Sequence, residues 1–354
     1  MIGDRSGQRG LKGVLDDEPQ RWLEVCLLPH ISPLDARSGF ASGRTVPEVL
    51  EGILFDPVAQ NTTPRTTYAL LDAAVCPLLP EMLESSDLLH KCLFTGKTME
   101  HSSDVAPWLV ELKPDHSFTR KLMSAKDTAG GLWEMELGII LKSHDGFDKI
   151  WSHCRKFTRI QDDRGRWLYY RFWSPPVSTR VMALGNRPEL AQFVSPFFPP
   201  AERGIEVLLL NSDMHAVLRR LPGTAQPTAP PVLTPAAHNT IRQVRRVQQY
   251  DELINITLRH VTGKTSLSDT VIRDILRGKR DRFFAMGFWQ RDHLAKVMVW
   301  EILLGPNFLD TYANGTAKTI IASANAPYEA IMNIEYFLQA QEICRLEAKN
   351  ASQV

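Results

Sequence analysis

The chain has 354 residues, of which 44% are hydrophobic and 23% charged, and its formal net charge is +1. This composition is typical of a globular protein long enough for two domains with separate cores. The near-neutral charge gives no overall attraction to nucleic acid or to an anionic membrane. Residues 1–13 lack the apolar stretch of a secretory signal and no later run reaches membrane-spanning length, which predicts a cytoplasmic protein.

The five cysteines, at positions 26, 76, 92, 154 and 344, are odd in number and far apart. They form no Cys-x-x-Cys pair, and no histidine cluster completes a metal site. We therefore expect reduced thiols and neither a metal nor a cofactor.

Residues 1–65 are rich in Gly, Pro, Ser and Asp. One strand is predicted between Trp22 and Ile31, and one helix between Val46 and Phe55 with Pro47 near its first turn. The segment is interpreted as a partly ordered lead-in that packs against the main domain.

Residues 66–221 alternate strand-like and helix-like patterns, which predicts an α/β domain with a mixed sheet and flanking helices. The segment Tyr68–Ala74 contains an unbroken apolar run that ends at the acidic residue Asp72, which is typical of a strand buried on both faces. Further strands are predicted at 92–94, 107–112, 136–141 and 204–210, and helices at 78–83, 118–123, 147–157 and 188–198.

A β-hairpin is predicted where Ile160 and Trp167 bracket a charged turn that contains a glycine. Its second arm is aromatic and continues to the double proline after Ser174. Large aromatic residues on strands are more often core than interface, so Trp108 and Trp167 are predicted to be buried. Trp173 stands where the arm ends and is predicted to be partly exposed, as an anchor for a partner.

Residues 222–236 hold five prolines from Pro222 to Pro235, a composition that predicts a semi-rigid linker. Residues 237–354 are predicted to form a helical bundle domain. Apolar residues recur at helical spacing from Ile241 to Val261, which predicts the first helix. A second helix is predicted to start near Ser268, a third to span 289–304, and a last to begin at Pro327.

Five short blocks resemble the effector-loading adaptor chaperones of bacterial type VI secretion, which share the DUF4123 domain. The blocks are Tyr68–Ala73, Leu93–Gly96, Ala106–Leu112, Gly138–Leu141 and Arg171–Pro175. The family usually has an acidic residue before the proline of the last block, where this chain has Ser174. The segment around Phe283–Phe288 also resembles the helical tail of these adaptors.

The resemblance implies an adaptor chaperone that binds a cognate secreted effector and loads it onto a trimeric VgrG-like spike protein. Because the sequence offers no nucleotide loop, no metal cluster and no nucleophile with a plausible base, we expect stoichiometric protein binding without turnover. We expect no nucleic acid, no membrane and no small-molecule substrate as partners. The α/β domain and the helical domain would offer separate surfaces, one to each partner. Arg171 and Trp173, in the last block, are predicted to bind a partner.

No motif predicts an enzyme. Gly96-Lys97-Thr98 and Gly263-Lys264-Thr265 lack the earlier glycine of a phosphate-binding loop, since Lys91 and Leu258 stand there. No Gly-x-Ser-x-Gly or His-Glu-x-x-His occurs. His153 beside Cys154 is interpreted as a surface imidazole next to a core thiol, and Asp162-Asp163 as a solvated turn.

The segment 237–291 is basic, with 11 Lys and Arg against 5 Asp and Glu. Arg242, Arg245 and Arg246 lie largely off the apolar face of the first helix. The favoured interpretation is a docking face for an acidic protein, because charge complementarity governs encounter and specificity. The alternatives are an inert solvated face and a nucleic-acid-binding regulator that uses these helices; a degenerate enzyme is a third possible class.

Overall fold

The computed structural model describes residues 21–34, 43–55, 64–96, 103–128, 130–200, 204–212, 214–225, 230–305 and 307–351. The chain divides into two compact units, residues 1–241 and 242–354. Much of the predicted lead-in, 1–65, lies outside the described residues. The predicted class, an α/β region followed by a helical region, is confirmed.

Unit 1 contains ten described strands and the six helices α1–α6. The strands are β1 Leu23–Leu27, β2 Thr66–Asp72, β3 His90–Cys92, β4 Pro107–Leu112, β5 Gly138–Ser143, β6 Arg159–Asp162, β7 Trp167–Tyr169, β8 Ile205–Leu210, β9 His215–Arg220 and β10 Val232–Leu233. The helices are α1 Glu48–Leu54, α2 Leu79–Glu84, α3 Ser117–Leu122, α4 Phe147–Arg155, α5 Pro175–Val181 and α6 Pro188–Val194.

Seven of these strands form one sheet in the order β1-β9-β8-β5-β2-β4-β3, and every pairing in it is antiparallel. β2 lies near the centre, between β4 and β5, and six of its seven residues are buried. The close approach of β2 requires glycine at Gly138, because a Cβ there would lie 1.9 Å from the Leu70 carbonyl oxygen. The apolar run of β2 therefore forms the centre of the sheet, as its sequence predicts.

The predicted hairpin is confirmed as part of a second, three-stranded sheet in the order β10-β6-β7. β7 pairs antiparallel with β6, while β10 pairs with β6 in parallel. The predicted second arm is too long, since β7 ends at Tyr169. The double proline at 175–176 begins α5, because proline fits the first turn of a helix, where no N–H partner is needed.

Two strands were not predicted. β9 carries two arginines at its end, so its apolar alternation is weak, and β10 has only two residues. β10 lies inside the predicted linker, 222–236, and the helix that follows begins at Pro235, so part of that segment has regular structure.

Unit 2 is helical. Helix α7, Pro235–Val261, spans the division between the units and is followed by α8 Asp269–Ala285, α9 Arg291–Leu303, α10 Phe308–Thr311, α11 Thr316–Ser323 and α12 Pro327–Ala351. The Ser268 side chain caps α8 by accepting from the Val271 N–H, as its position before the apolar pattern predicts. The core of unit 2 centres on large buried side chains, including Tyr250, Phe283, Phe288 and Ile334.

Candidate interaction surfaces

Asp72, the last residue of β2, is a buried carboxylate that holds the start of α5 against the sheet. Its Oδ2 accepts from the Trp173 indole N–H at 3.0 Å and from the Arg171 guanidinium, and its Oδ1 accepts from the Ala74 N–H at 3.1 Å. A buried carboxylate is stable when its oxygens are satisfied in this way. The sequence blocks Tyr68–Ala73 and Arg171–Pro175 are therefore joined by the ion pair between Asp72 and Arg171 and by the hydrogen bond from the Trp173 indole to Asp72.

This geometry corrects the expectation that Trp173 is partly exposed. Trp173 is only 2% exposed, and its N–H is bound to Asp72. The strand ends four residues before Trp173, and the turn that follows directs the indole inward. Arg171 is half-exposed, and its charge is paired with Asp72, so it has a structural partner within the chain.

The inner face of the β6–β7 hairpin is anchored in a cluster of aromatic residues. The rings of Tyr170 and Phe193 lie 5.2 Å apart, and those of Phe172 and Phe197 lie 5.0 Å apart. Ile160 of β6 is buried beside them. The hairpin is therefore fixed on one face by ordinary core packing, which leaves its other face to solvent.

The turn of the hairpin is closed by Asp162. Its Oδ1 accepts from the Arg164 and Arg166 main-chain N–H groups at 3.0 and 2.9 Å, and its Oδ2 accepts from the Arg166 side chain at 2.8 Å. The main-chain N–H of Arg166 contributes most to lowering the pKa of this carboxyl group. Gly165 adopts φ +74°, which explains the glycine at this position. Asp162 is thus a turn anchor, although it is buried and not solvated.

All three residues of β7 are exposed. The exposed fractions are 64% for Trp167, 37% for Leu168 and 62% for Tyr169. The prediction that Trp167 is buried is wrong, because β7 lies at the margin of a small sheet and not inside the large one. Three consecutive exposed apolar side chains are unusual for a strand and mark a candidate interaction site.

Arginines surround these three residues. We define the hairpin surface as Arg159, Arg164, Arg166, Trp167, Leu168, Tyr169 and Arg171. The Arg159 Nη2 donates to the Tyr169 hydroxyl at 2.9 Å, and its guanidinium lies 5.0 Å from the centre of that ring. Arg164 is exposed, and no ion pair to it is found among the described residues. Trp, Tyr and Arg together are the side chains that contribute most to protein interfaces.

A second basic surface lies in unit 2. We define the helix surface as Arg242, Arg245, Arg246 and Trp289. Arg242 and Arg245 are exposed, while the Arg246 guanidinium lies 4.3 Å from the centre of the half-exposed Trp289 ring, a cation–π contact. Trp289 itself stacks on Phe284 at 4.8 Å. The structure thus places the three predicted arginines along one helix and adds a tryptophan to them.

Residues 67–192 match a protein family described as "Domain of unknown function (DUF4123)". Those residues are a DUF4123 domain. The family is generally linked to effector adaptors of type VI secretion. No curated protein and no solved structure matches the chain. The DUF4123 domain contains Asp72 and the whole hairpin surface, whereas the helix surface lies beyond its end.

The neighbouring side chains of His153 and Cys154, within the DUF4123 domain, are both held in contacts with the surrounding structure. Cys154 is fully buried, which raises the pKa of its thiol and disfavours the reactive thiolate. The His153 Nε2 donates to the Phe197 carbonyl oxygen at 2.8 Å. In the described part of the chain no group of three or more His, Cys, Asp or Glu residues could hold a metal ion. No helix among the described residues is long and apolar enough to cross a membrane.

Trp167, Tyr169 and Trp289 are the exposed aromatic residues of the two surfaces, and their exposure was not predicted from the sequence. The signal for the hairpin is present in the sequence, since Arg164 and Arg166 precede the aromatic run and Arg171 follows it. Charged residues this close to both ends of a short strand favour an exposed strand over a buried one. For Trp289 the only signal is its place between Gly287 and the start of α9, outside the apolar pattern of either helix.

Proposed function

We propose that this protein is an adaptor chaperone of a type VI secretion system. It binds a cognate effector in the cytoplasm and loads it onto the VgrG-like spike before the spike is fired. The observation that carries the proposal is the DUF4123 domain at residues 67–192, whose hairpin exposes aromatic side chains among arginines.

The two basic surfaces support a protein with two partners. The hairpin surface lies in unit 1 and the helix surface in unit 2, so each unit has exposed aromatic and arginine side chains of its own. A loading adaptor needs one site for its effector and one for the spike. Both sites favour acidic partners, because surface charge governs the rate and selectivity of encounter.

The proposed mechanism is stoichiometric binding without turnover. A chaperone of this kind stabilises its client by mass action, about 2.7 kcal/mol when free chaperone exceeds the dissociation constant a hundredfold. The stabilisation requires neither nucleotide nor metal. It saturates at a fixed molar ratio and disappears on dilution.

The first experiment is affinity purification of the tagged chain from its own cells, followed by mass spectrometry. We expect an effector encoded with the secretion system, its spike protein, or both. A sequence-selective DNA or RNA complex tighter than about micromolar would instead favour the nucleic-acid-binding regulator.

The second experiment titrates the purified effector with this protein and follows the melting temperature of the effector, with and without ATP and a chelator. We expect saturation at a fixed ratio in every condition. Full rescue of the effector by a sub-stoichiometric amount, or an absolute requirement for nucleotide, would contradict binding without turnover.

A further inference from the structure

Among the described strands, the main chain of β7 is paired on one side only. In the hairpin, the Asp162 N–H donates to the Arg166 carbonyl and the Tyr170 N–H to the Thr158 carbonyl, both at 3.0 Å. Because hydrogen-bonded positions alternate along an antiparallel strand, residues 166, 168 and 170 turn their main-chain groups toward β6. The N–H and C=O groups of Trp167 and Tyr169 therefore point away from β6.

No described strand occupies that outer side of β7, since the three-stranded sheet ends there. Trp167 and Tyr169 stand on one face of the strand, and Leu168 on the other. Among the described residues, the N–H and C=O groups of Trp167 and Tyr169 have no hydrogen-bond partner, so an added strand would find two donors, two acceptors and apolar side chains on both faces. These are the features by which a sheet binds an extended peptide.

The charge around β7 indicates what kind of peptide fits. Between residues 159 and 171 there are four arginines and two aspartates. Arg166 is paired with Asp162 and Arg171 with Asp72, whereas Arg159 and Arg164 have no ion pair among the described residues. Against the one exposed carboxylate, that of Asp163, these two arginines leave an excess of positive charge around the unpaired edge. A second copy of the same hairpin would bring arginines against arginines, which disfavours pairing of two chains through this edge.

We propose that the outer edge of β7 accepts an extended, acidic segment of a partner protein as an additional strand. Main-chain hydrogen bonds to Trp167 and Tyr169 hold the segment in register. Its acidic side chains meet the flanking arginines, and its apolar side chains cover the Trp167 and Tyr169 rings. The inference rests on the proposed function and specifies the part of a partner that one of the two surfaces binds.

The test uses the full chain and a fluorescent synthetic peptide that alternates glutamate with valine. Fluorescence anisotropy should show saturable binding to the wild-type protein and loss of binding when lysine replaces glutamate. Hydrogen exchange at the amides of Trp167 and Tyr169 should slow on binding. Failure of the alternating peptide to bind at its highest soluble concentration would overturn the proposal.

Two main-chain-methylated peptides separate strand addition from side-chain docking. One carries N-methyl groups on its valines and the other on its glutamates, and only one set of N–H groups can face β7. We expect one methylated peptide to lose binding and the other to retain it. Equal binding by both would show that no added strand forms.

A pair of variants at one position tests the same point from the protein side. Trp167→Ala removes the ring and keeps the outward N–H, whereas Trp167→Pro removes both and leaves the bonds to β6 intact. We expect Trp167→Pro to bind the peptide about fivefold more weakly than Trp167→Ala, the value of one hydrogen bond. Equal affinities would contradict the proposal, and the methylated peptides test it even if the proline variant folds poorly.

Failure of this inference can be told apart from failure of the proposed function. If wild-type chain captures an effector or spike from its cells but the peptide results are negative, strand addition is wrong and the adaptor function stands. If it captures neither while the peptide binds, the adaptor function fails. A dimer in sedimentation that Trp167→Pro abolishes would place a second copy on the edge and overturn the inference.

Discussion

β2 and β7 have similar sequences but opposite surroundings. Each contains a run of aromatic and aliphatic residues, Tyr68–Leu71 in β2 and Trp167–Tyr169 in β7, yet six of seven residues are buried in β2 and none is buried in β7. Among the described strands, β2 has a hydrogen-bonded neighbour on each side, whereas β7 has one. An apolar run thus identifies a strand, while the position of that strand in its sheet decides whether the run becomes core or interaction surface.

The largest expected effect comes from truncating one leucine in each strand. Leu70→Ala, in the fully buried centre of β2, should destabilise unit 1 by about 3 kcal/mol, because it leaves a cavity in a close-packed core. Leu168→Ala should cost less than about 1 kcal/mol, since that side chain is partly solvated already. Native-state hydrogen exchange on β2 and β5 measures both values, and equal losses would mean that β7 is not exposed as described.

The Asp72 side chain links the end of β2 to the segment that follows β7. Its replacement should have the next largest effect on the free energy of unfolding. Asp72→Asn should cost about 2 kcal/mol, because it removes the charge that pairs with Arg171 and weakens the buried acceptor of Trp173. The control, Arg171→Gln, should cost about 1 kcal/mol or less, since that guanidinium is half-exposed. Chemical unfolding followed by circular dichroism measures both. A larger loss for Arg171→Gln would reverse this assignment.

Helices and strands could be predicted from the sequence where the local pattern of residues determines the structure that forms. The apolar run that starts at Tyr68 is unbroken up to Asp72 and has the length of a strand, which is typical of a strand buried on both faces of a sheet. The start of α8 near Ser268 is also set by local chemistry, and its predicted position is confirmed.

The candidate site was harder to predict, because its residues are distinguished by tertiary position. Trp173 is buried and Trp167 exposed, the reverse of what their places in the arm predict. The difference depends on where β7 ends and on the buried Asp72, which is 101 positions from Trp173. No pattern within the aromatic run carries that information.

Replacing Arg242, Arg245 and Arg246 together with glutamate compares the helix surface with the hairpin surface. The triple variant should slow association with the partner of unit 2 by about tenfold at low salt, and less at high salt. Helical content should stay unchanged, since these side chains lie off the core. Surface plasmon resonance against the captured effector and spike measures the rates.

The matched control for that variant reverses three exposed charges elsewhere in unit 2, at Arg259, Lys264 and Lys318. The same change in net charge is then made away from the helix surface. If both variants slow association equally, overall charge accounts for the effect and the helix surface has no specific role.

The smallest expected effect is a change in stability with pH. The seven-stranded sheet should lose stability at a higher pH than the three-stranded sheet does. Burial lowers the pKa of His215 on β9 from 6.5, opposed by a contact with the Pro29 carbonyl, with smaller influences from His30 and Glu136. The neutral ring accepts from the Ile31 N–H through its Nδ1. As pH falls below 6.5, the unfolded chain binds a proton that the folded chain does not, so unit 1 loses stability.

The hairpin turn should respond at lower pH, because the pKa of Asp162 is lowered from 3.8. Its stabilisation is present above that value and is lost as pH falls through the folded pKa. Denaturation midpoints at pH 7.5 and 5.5 should differ in the wild type and differ less in His215→Gln, with His144→Gln, at an exposed position of unit 1, as control. An identical pH response in all three proteins would exclude His215 as the cause.

The most direct test of the account is a photo-crosslinking amino acid placed at Trp167 in the producing cells. Leu78 is the control position, since it is equally exposed at 68% but lies outside the hairpin surface. We expect crosslinks from position 167 to an extended acidic segment of an effector or spike protein, and none to that segment from position 78. Crosslinks only to nucleic acid, or the same partner peptides from both positions, would contradict it.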